Sequence, residues 1–150
     1  MKIAIGGDHA SPKLKAKVVD FLKAKGIEVT DYGTYDSSAV DYPDYALKVA
    51  EAVVAKEADL GILICGTGIG ISIAANKVKG IRCALCSDTF SAHATREHND
   101  ANVLAFGERV VGEGLALDIV DTFISTEFSG AQRHVDRIAK ITAIEDKYCK

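Results

Sequence analysis

The stretch Leu60 to Lys77, LGILICGTGIGISIAANK, restricts the fold more than any other part of the chain. Leu60 to Ile64 is an unbroken apolar run of mostly branched residues, which suits a strand buried on both faces. The run stops at Cys65. Gly66, Gly68 and Gly70 then alternate with Thr67 and Ile69, and Ile71 to Asn76 reads as helix. Glycines let the backbone bend sharply and approach a ligand closely. The free N–H groups of a helix start attract anions. Those groups and the helix dipole also favour the thiolate form of a neighbouring thiol. One short segment thus offers a base or nucleophile beside an oxyanion or phosphate cradle. The same pattern also serves as a plain α/β turn, with the cysteine a small buried hydrophobe.

Several sharper motifs are excluded. No Lys-Ser or Lys-Thr follows the glycines, so this is not a P-loop. Position 71, where the dinucleotide fingerprint needs a glycine or alanine, is Ile71. A cysteine phosphatase loop would place an arginine six residues beyond Cys65, and that position is again Ile71.

The chain has 150 residues, enough for one domain with a real core, and we read 1–150 as a single domain. Its 48% hydrophobic and 26% charged residues are ordinary for a soluble globular protein. A net charge of −3 argues against a nucleic-acid partner. No run is long enough for a membrane span or a signal peptide. Of Cys65, Cys83, Cys86 and Cys149, two sit in strand-like apolar runs, which points to a reduced, cytoplasmic setting. Cys83 and Cys86 form a C-x-x-C, but in or at the end of a strand rather than in a turn, so they read as structural.

Taken in order, Lys2 to Gly6 reads as a first strand, followed by the turn Gly7 to Ala10. Ser11 and Pro12 open a helix with an apolar face of Leu14, Val18, Phe21 and Leu22, closed by Gly26. Further strands are expected at Ile27 to Tyr32, Leu60 to Cys65, Ile81 to Cys86 and Asn102 to Phe106. Helices are expected from about Pro43 to Lys56, Asp88 to Glu97, Gly114 to Ser125, and from about Gln132 onward. The alternation predicts a doubly wound, Rossmann-like α/β fold: a five-stranded parallel sheet in the order 2-1-3-4-5 with helices on both faces. Val135, Ile138, Ile141 and Ile144 give the last helix an apolar side suited to a second copy of the chain.

In such a sheet ligands bind beyond the carboxyl ends of the strands, where the strand order reverses. That point falls between strands 1 and 3 and brings Gly6 to His9 next to Cys65 to Gly70. Asp8 and His9 there either orient each other and meet an anion, or form an ordinary polar turn. His98, Asn99 and Asp100 precede strand 5 and fall at its amino end, the wrong face for a site within one subunit. Arg133 and Arg137 are i, i+4 neighbours beside His134 and suit a phosphate, or ion pairs with Asp136 or Glu127. Arg109, after strand 5, carries no local clue.

GGDHAS at 6 to 11, DYPDYA at 41 to 46, CGTGIG at 65 to 70, EHNDANVLAFGERVVG at 97 to 112 and RHVDRI at 133 to 138 occur in order. Together they resemble the type B ribose-5-phosphate isomerases, in the wider family that includes galactose-6-phosphate isomerase. The resemblance spans nearly the whole chain. It implies interconversion of ribose 5-phosphate and ribulose 5-phosphate with no metal and no cofactor, by a homodimer or homotetramer whose sites are shared between subunits. By position, Cys65 would be the base, with Thr67 and His98 helping to open the sugar ring. Asp8 and Tyr42 would contact the sugar. His9, Arg133 and Arg137 would hold the phosphate, joined by Arg109 from the interface. Asn99 and the N–H groups of Gly66, Thr67, Gly68, Ile69 and Gly70 would stabilise an enediolate. Another branch of the family carries a glutamate base where this chain has Ile69, so the cysteine branch fits. A hexose-phosphate isomerase acting on allose 6-phosphate or galactose 6-phosphate shares this chemistry. A non-catalytic sugar-phosphate-binding module and a thiol redox protein are further alternatives.

Overall fold

The structure, a computed structural model, describes residues 1–149. Strands and helices alternate as β1 (Lys2–Gly7), α1 (Pro12–Ala24), β2 (Glu28–Asp31), α2 (Tyr42–Val54), β3 (Leu60–Cys65), α3 (Ile69–Ala75), β4 (Cys83–Leu85), α4 (Thr89–Asn99), β5 (Val103–Gly107), α5 (Glu113–Ser125) and α6 (Gln132–Tyr148). All pairings are parallel, in one five-stranded sheet. The doubly wound α/β fold read from the sequence is the one observed.

The sheet order is β2-β1-β3-β5-β4, so the last two strands exchange places relative to the expected 2-1-3-4-5. Burial explains the exchange. Every residue of β5 is buried, as an interior strand requires. Strand β4 has three residues and ends in Leu85, which is 41% exposed, and a short exposed strand is tolerated at an edge. The exchange matters for the site. With β5 beside β3, Cys65 pairs with Gly107, and the chain after β5 runs over the glycine turn.

Alternation along the strands builds a core on each face. Ile3, Ile5, Ile62, Ile64, Leu104 and Phe106 point to one side, against Leu14 and Val18 of α1 and Ile119 and Phe123 of α5. Ala4, Leu63, Cys65, Val103 and Ala105 point to the other, against Val49 and Val53 of α2 and Ile71 of α3. Each fully buried large side chain, such as Phe106 or Ile62, contributes roughly 1.5–3 kcal/mol. The point where strand order reverses remains between β1 and β3, since β2 lies on the far side of β1.

Helix α6 stands apart from both cores. His134 is its buried residue, while Val135, Ile141, Ile144 and Tyr148 are exposed. Its far end is tied to the α3–β4 connection by the Lys79–Asp146 ion pair at 2.7 Å and by Glu145, which accepts the Gly80 N–H at 3.1 Å. Among the described residues no helix is long and apolar enough to cross a membrane.

Candidate active site

Cys65 closes β3 and is 4% exposed. Its Sγ accepts the Gly68 N–H at 3.1 Å. Gly68, at the start of α3, sits in the left-handed region with φ of +80°. A Cβ at Gly68 would fall 2.8 Å from Phe106 Cα, so only glycine satisfies both backbone and space. Gly107 is equally committed: a Cβ there would lie 2.5 Å from the Thr67 backbone. Thr67 thus rests on the end of β5, and its Oγ1 accepts the Ile69 N–H at 3.2 Å. The Glu108 N–H donates to the Cys65 carbonyl at 2.9 Å and the Arg109 N–H to the Gly66 carbonyl at 3.0 Å, locking the turn from the β5 side.

The β1 turn completes this end. The Asp8 N–H donates to the Ile64 carbonyl at 3.3 Å, tying the turn to β3. Asp8 Oδ1 accepts the Ala10 N–H at 3.0 Å, and Ser11 Oγ donates to the Asp8 carbonyl at 2.7 Å. Asp8 is therefore buried and fixed. His9 Nδ1 lies 3.2 Å from the Val40 backbone, which anchors the β2–α2 loop over the turn. The Tyr42 ring covers Gly70, and the Arg109 guanidinium lies against Gly66, 3.1 Å from where a Cβ would stand. Asp8, His9, Tyr42, Cys65, Thr67, Gly66, Gly68, Ile69, Gly70 and Arg109 thus converge on the carboxyl ends of β1, β3 and β5. Arg109 lies over this chain's own turn.

His98, Asn99, Arg133 and Arg137 do not join them. Helix α4 ends at Asn99, just before β5 begins, so it delivers His98 and Asn99 to the amino end of the sheet. The His98 ring lies 4.4 Å from the His134 ring, which places the start of α6 at this second cluster. His134 Nδ1 is 2.8 Å from Ser129 Oγ. Burial, then Arg133, His98 and Arg137, hold the His134 imidazole below its ordinary value. Asp136 accepts from Gln132 at 2.7 Å. Among the described residues, neither Arg133 nor Arg137 pairs with a carboxylate, so the ion-pair alternative has no support.

The geometry brings forward Gly107 and Glu97 within these two clusters, which the sequence pattern does not mark. Gly107 matters only once β5 stands next to β3. Glu97 holds two imidazoles on one oxygen, His93 Nε2 and His98 Nε2, each at 3.2 Å. The i, i+4 spacing of His93 and Glu97 was the available signal. Among the described residues no three His, Cys, Asp or Glu side chains gather as metal ligands would.

The profile of the Ribose/Galactose Isomerase family matches residues 3–141. Ribose-5-phosphate isomerase B of Escherichia coli (strain K12) is 54% identical over 146 residues, 97% of this chain and 97% of that protein. A galactose-6-phosphate isomerase subunit of Clostridium acetobutylicum is 45% identical over 141 residues, 94% of this chain and 82% of the relative. The solved structure of Clostridium thermocellum ribose-5-phosphate isomerase B superposes with a TM-score of 0.97 at 61% identity, covering 99% of each chain. With the cysteine–glycine turn at the strand ends and these matches along nearly its whole length, the chain is an isomerase belonging to the ribose/galactose isomerase family.

Proposed function

We propose that the protein interconverts D-ribose 5-phosphate and D-ribulose 5-phosphate through an enediolate, with Cys65 as the base. The observation that carries this reading is the seat of the Cys65 sulfur. It takes the Gly68 N–H at the head of the glycine turn, in a wall built from β1, β3 and β5. The Cys65 thiolate removes the proton from C2 of the open aldose and returns it to C1, while the O2 hydroxyl proton passes to O1. Negative charge grows on the sugar oxygens in between. Fixed N–H groups at Gly66 to Gly70, with Asn99, oppose it where preorganised dipoles help most. Thr67 and His98 open the furanose. Asp8 and Tyr42 hold the hydroxyls. His9, Arg109, Arg133 and Arg137 grip the phosphate and use its binding energy to place the reacting carbons.

The two residue clusters lie at opposite ends of one sheet, and this reading requires both at one substrate. A second copy that brings its His98, Asn99, Arg133 and Arg137 to the first copy's Cys65 turn meets the requirement. The exposed apolar residues Ile141, Ile144 and Tyr148 of α6, with Ile69 and Ile73 of α3, give such a copy surface to cover. The working form is then a homodimer, or a dimer of such dimers. The match to a galactose-6-phosphate isomerase subunit keeps hexose phosphates as the second reading, with allose 6-phosphate and galactose 6-phosphate as rival substrates.

Turnover of the three sugar phosphates by the purified chain, with and without a chelator, tests the reaction. Fast, chelator-insensitive turnover favouring the pentose is expected. Cys65→Ala is expected to lower kcat by about 10²–10⁴-fold while ribose 5-phosphate still binds. Near-normal turnover by that variant would remove Cys65 as the base. Failure of all three substrates would leave a binding module.

A further inference from the structure

Glu108 is a half-buried carboxylate with one enclosed oxygen, and the reaction above does not use it. It directly follows β5, and its backbone N–H is bonded to Cys65. Its side chain reaches the first turns of α1, where it lines a crevice with Lys13, Leu14 and Lys17. There its Oε2 is enclosed and has no hydrogen-bond partner among the described residues. A buried, unpartnered carboxylate oxygen costs free energy, and nothing in the packing of α1 on α5 repays it. The carboxylate also lines, with His9, Lys13 and Asp36, a crevice of about 450 Å³ beside the β1 turn. This is the phosphate-binding end in the reading given above, on which the present inference rests.

The charges around Glu108 come from every element packed on it. Lys13 stands on α1, Asp8 and His9 on the β1 turn, Asp36 on the β2–α2 loop, and Arg109 next in the chain. Lys17 and Glu113 border it on the α1–α5 side. Burial raises its carboxyl above the ordinary value and Asp8 adds to the rise. The Leu14 N–H, Lys13 and Arg109 oppose it. A phosphate dianion arriving in the same crevice adds a like charge, which pushes a carboxylate further toward its neutral form.

We propose that Glu108 is a proton-linked residue of the phosphate-binding end: its carboxylate takes up a proton from solvent when a sugar-phosphate dianion enters the crevice beside His9. One O–H bond forms on the carboxylate, and the proton comes from the buffer. Glu108 does not touch the reacting carbons. It sets how strongly sugar-phosphate binding depends on pH. Binding that takes up a proton weakens as pH rises, by up to about tenfold per pH unit.

The test compares the wild-type protein with Glu108→Gln, which keeps an acceptor for the Leu14 N–H. KM and kcat for D-ribose 5-phosphate are measured from about pH 5 to about pH 8. The wild-type KM is expected to rise more steeply with pH than that of the variant, with the kcat profiles parallel. Calorimetry of inorganic phosphate binding, in two buffers of different ionisation enthalpy, reads the protons directly. The wild type is expected to take up more than Glu108→Gln. If the variant folds poorly, the wild-type calorimetry still decides, because no proton uptake overturns the proposal. Superimposed KM profiles with normal turnover overturn it too, and leave the isomerase reading standing. Absence of turnover in both proteins, with phosphate uptake independent of Glu108, overturns both.

Discussion

Burial pushes the Cys83 thiol up to about 12, with the nearby Cys86 adding to the rise, and pushes Cys86 up to about 11, with Asp88 adding. Fewer than about one in a thousand of either is thiolate at neutral pH, and the thiolate is the reactive form. Both are therefore expected to resist iodoacetamide in the folded protein and to label freely after denaturation. Mass spectrometry of each cysteine-containing peptide checks this; rapid native labelling or mutual oxidation of the pair would restore the redox alternative. The sequence pointed the same way, because a C-x-x-C inside a strand has its sulfurs held by packing. Cys65 was legible for the opposite reason, as the thiol where the apolar run meets the glycines. Glu108 was not legible. Its position in FGERVV looks like an ordinary surface charge, and only the packing of α1 over the end of β5 encloses its Oε2.

At the scale of elements, the end of β5 is a wall of the site rather than a neighbour of it. Gly107→Ala would drive a methyl group into the Thr67 backbone. Overpacking of this kind costs about 1–3 kcal/mol, and a shift of about 1 Å at the turn costs on the order of 10²-fold in rate. A lower melting temperature together with a fall in kcat is expected; unchanged kcat would mean that the turn does not depend on β5. The periodicities announced the strands and helices of this chain, but not which strand stands next to β3. Apolar runs at Ile81 to Cys86 and Asn102 to Phe106 look alike in sequence. What separates them is that only Cys83 to Leu85 form β4 and none of the three is fully buried, so β4 is too short and open for the interior. Helix α6 offers a pH test. His134 is held below its unfolded value of 6.5, chiefly by burial, so the folded state favours the neutral ring. The unfolded chain then binds more protons, and this contribution to stability is present above about pH 6.5 and lost as pH falls below it. Lower amide protection factors in α6, after correction for the pH dependence of intrinsic exchange, are expected on acidification, and His134→Asn is expected to flatten that dependence.

At the scale of the whole molecule, the arrangement that looked awkward in the sequence is the most informative. His98 and Asn99 were placed at the wrong end of the sheet, and the structure puts them there, with Arg133 and Arg137 beside them. No rearrangement within one sheet brings the end of α4 to the end of β3. Local pattern could mark both clusters, but the relation between two chains leaves no periodic trace in either of them. The shared site can be tested without a structure of the assembly. Cys65→Ala damages one cluster, and Arg133→Ala with Arg137→Ala damages the other. Each protein alone is expected to be nearly inactive. When equal amounts are unfolded together and refolded, half of the dimers are hybrids by random pairing. In each hybrid one of the two sites combines both intact clusters, so activity returns to about one quarter of the wild-type level. A site contained within one chain cannot behave this way, because every chain in the mixture carries a defect. Activity that stays at the level of the parent variants, with hybrids shown to form, would overturn the shared site. The residues of the second cluster would then need a role other than binding the sugar phosphate.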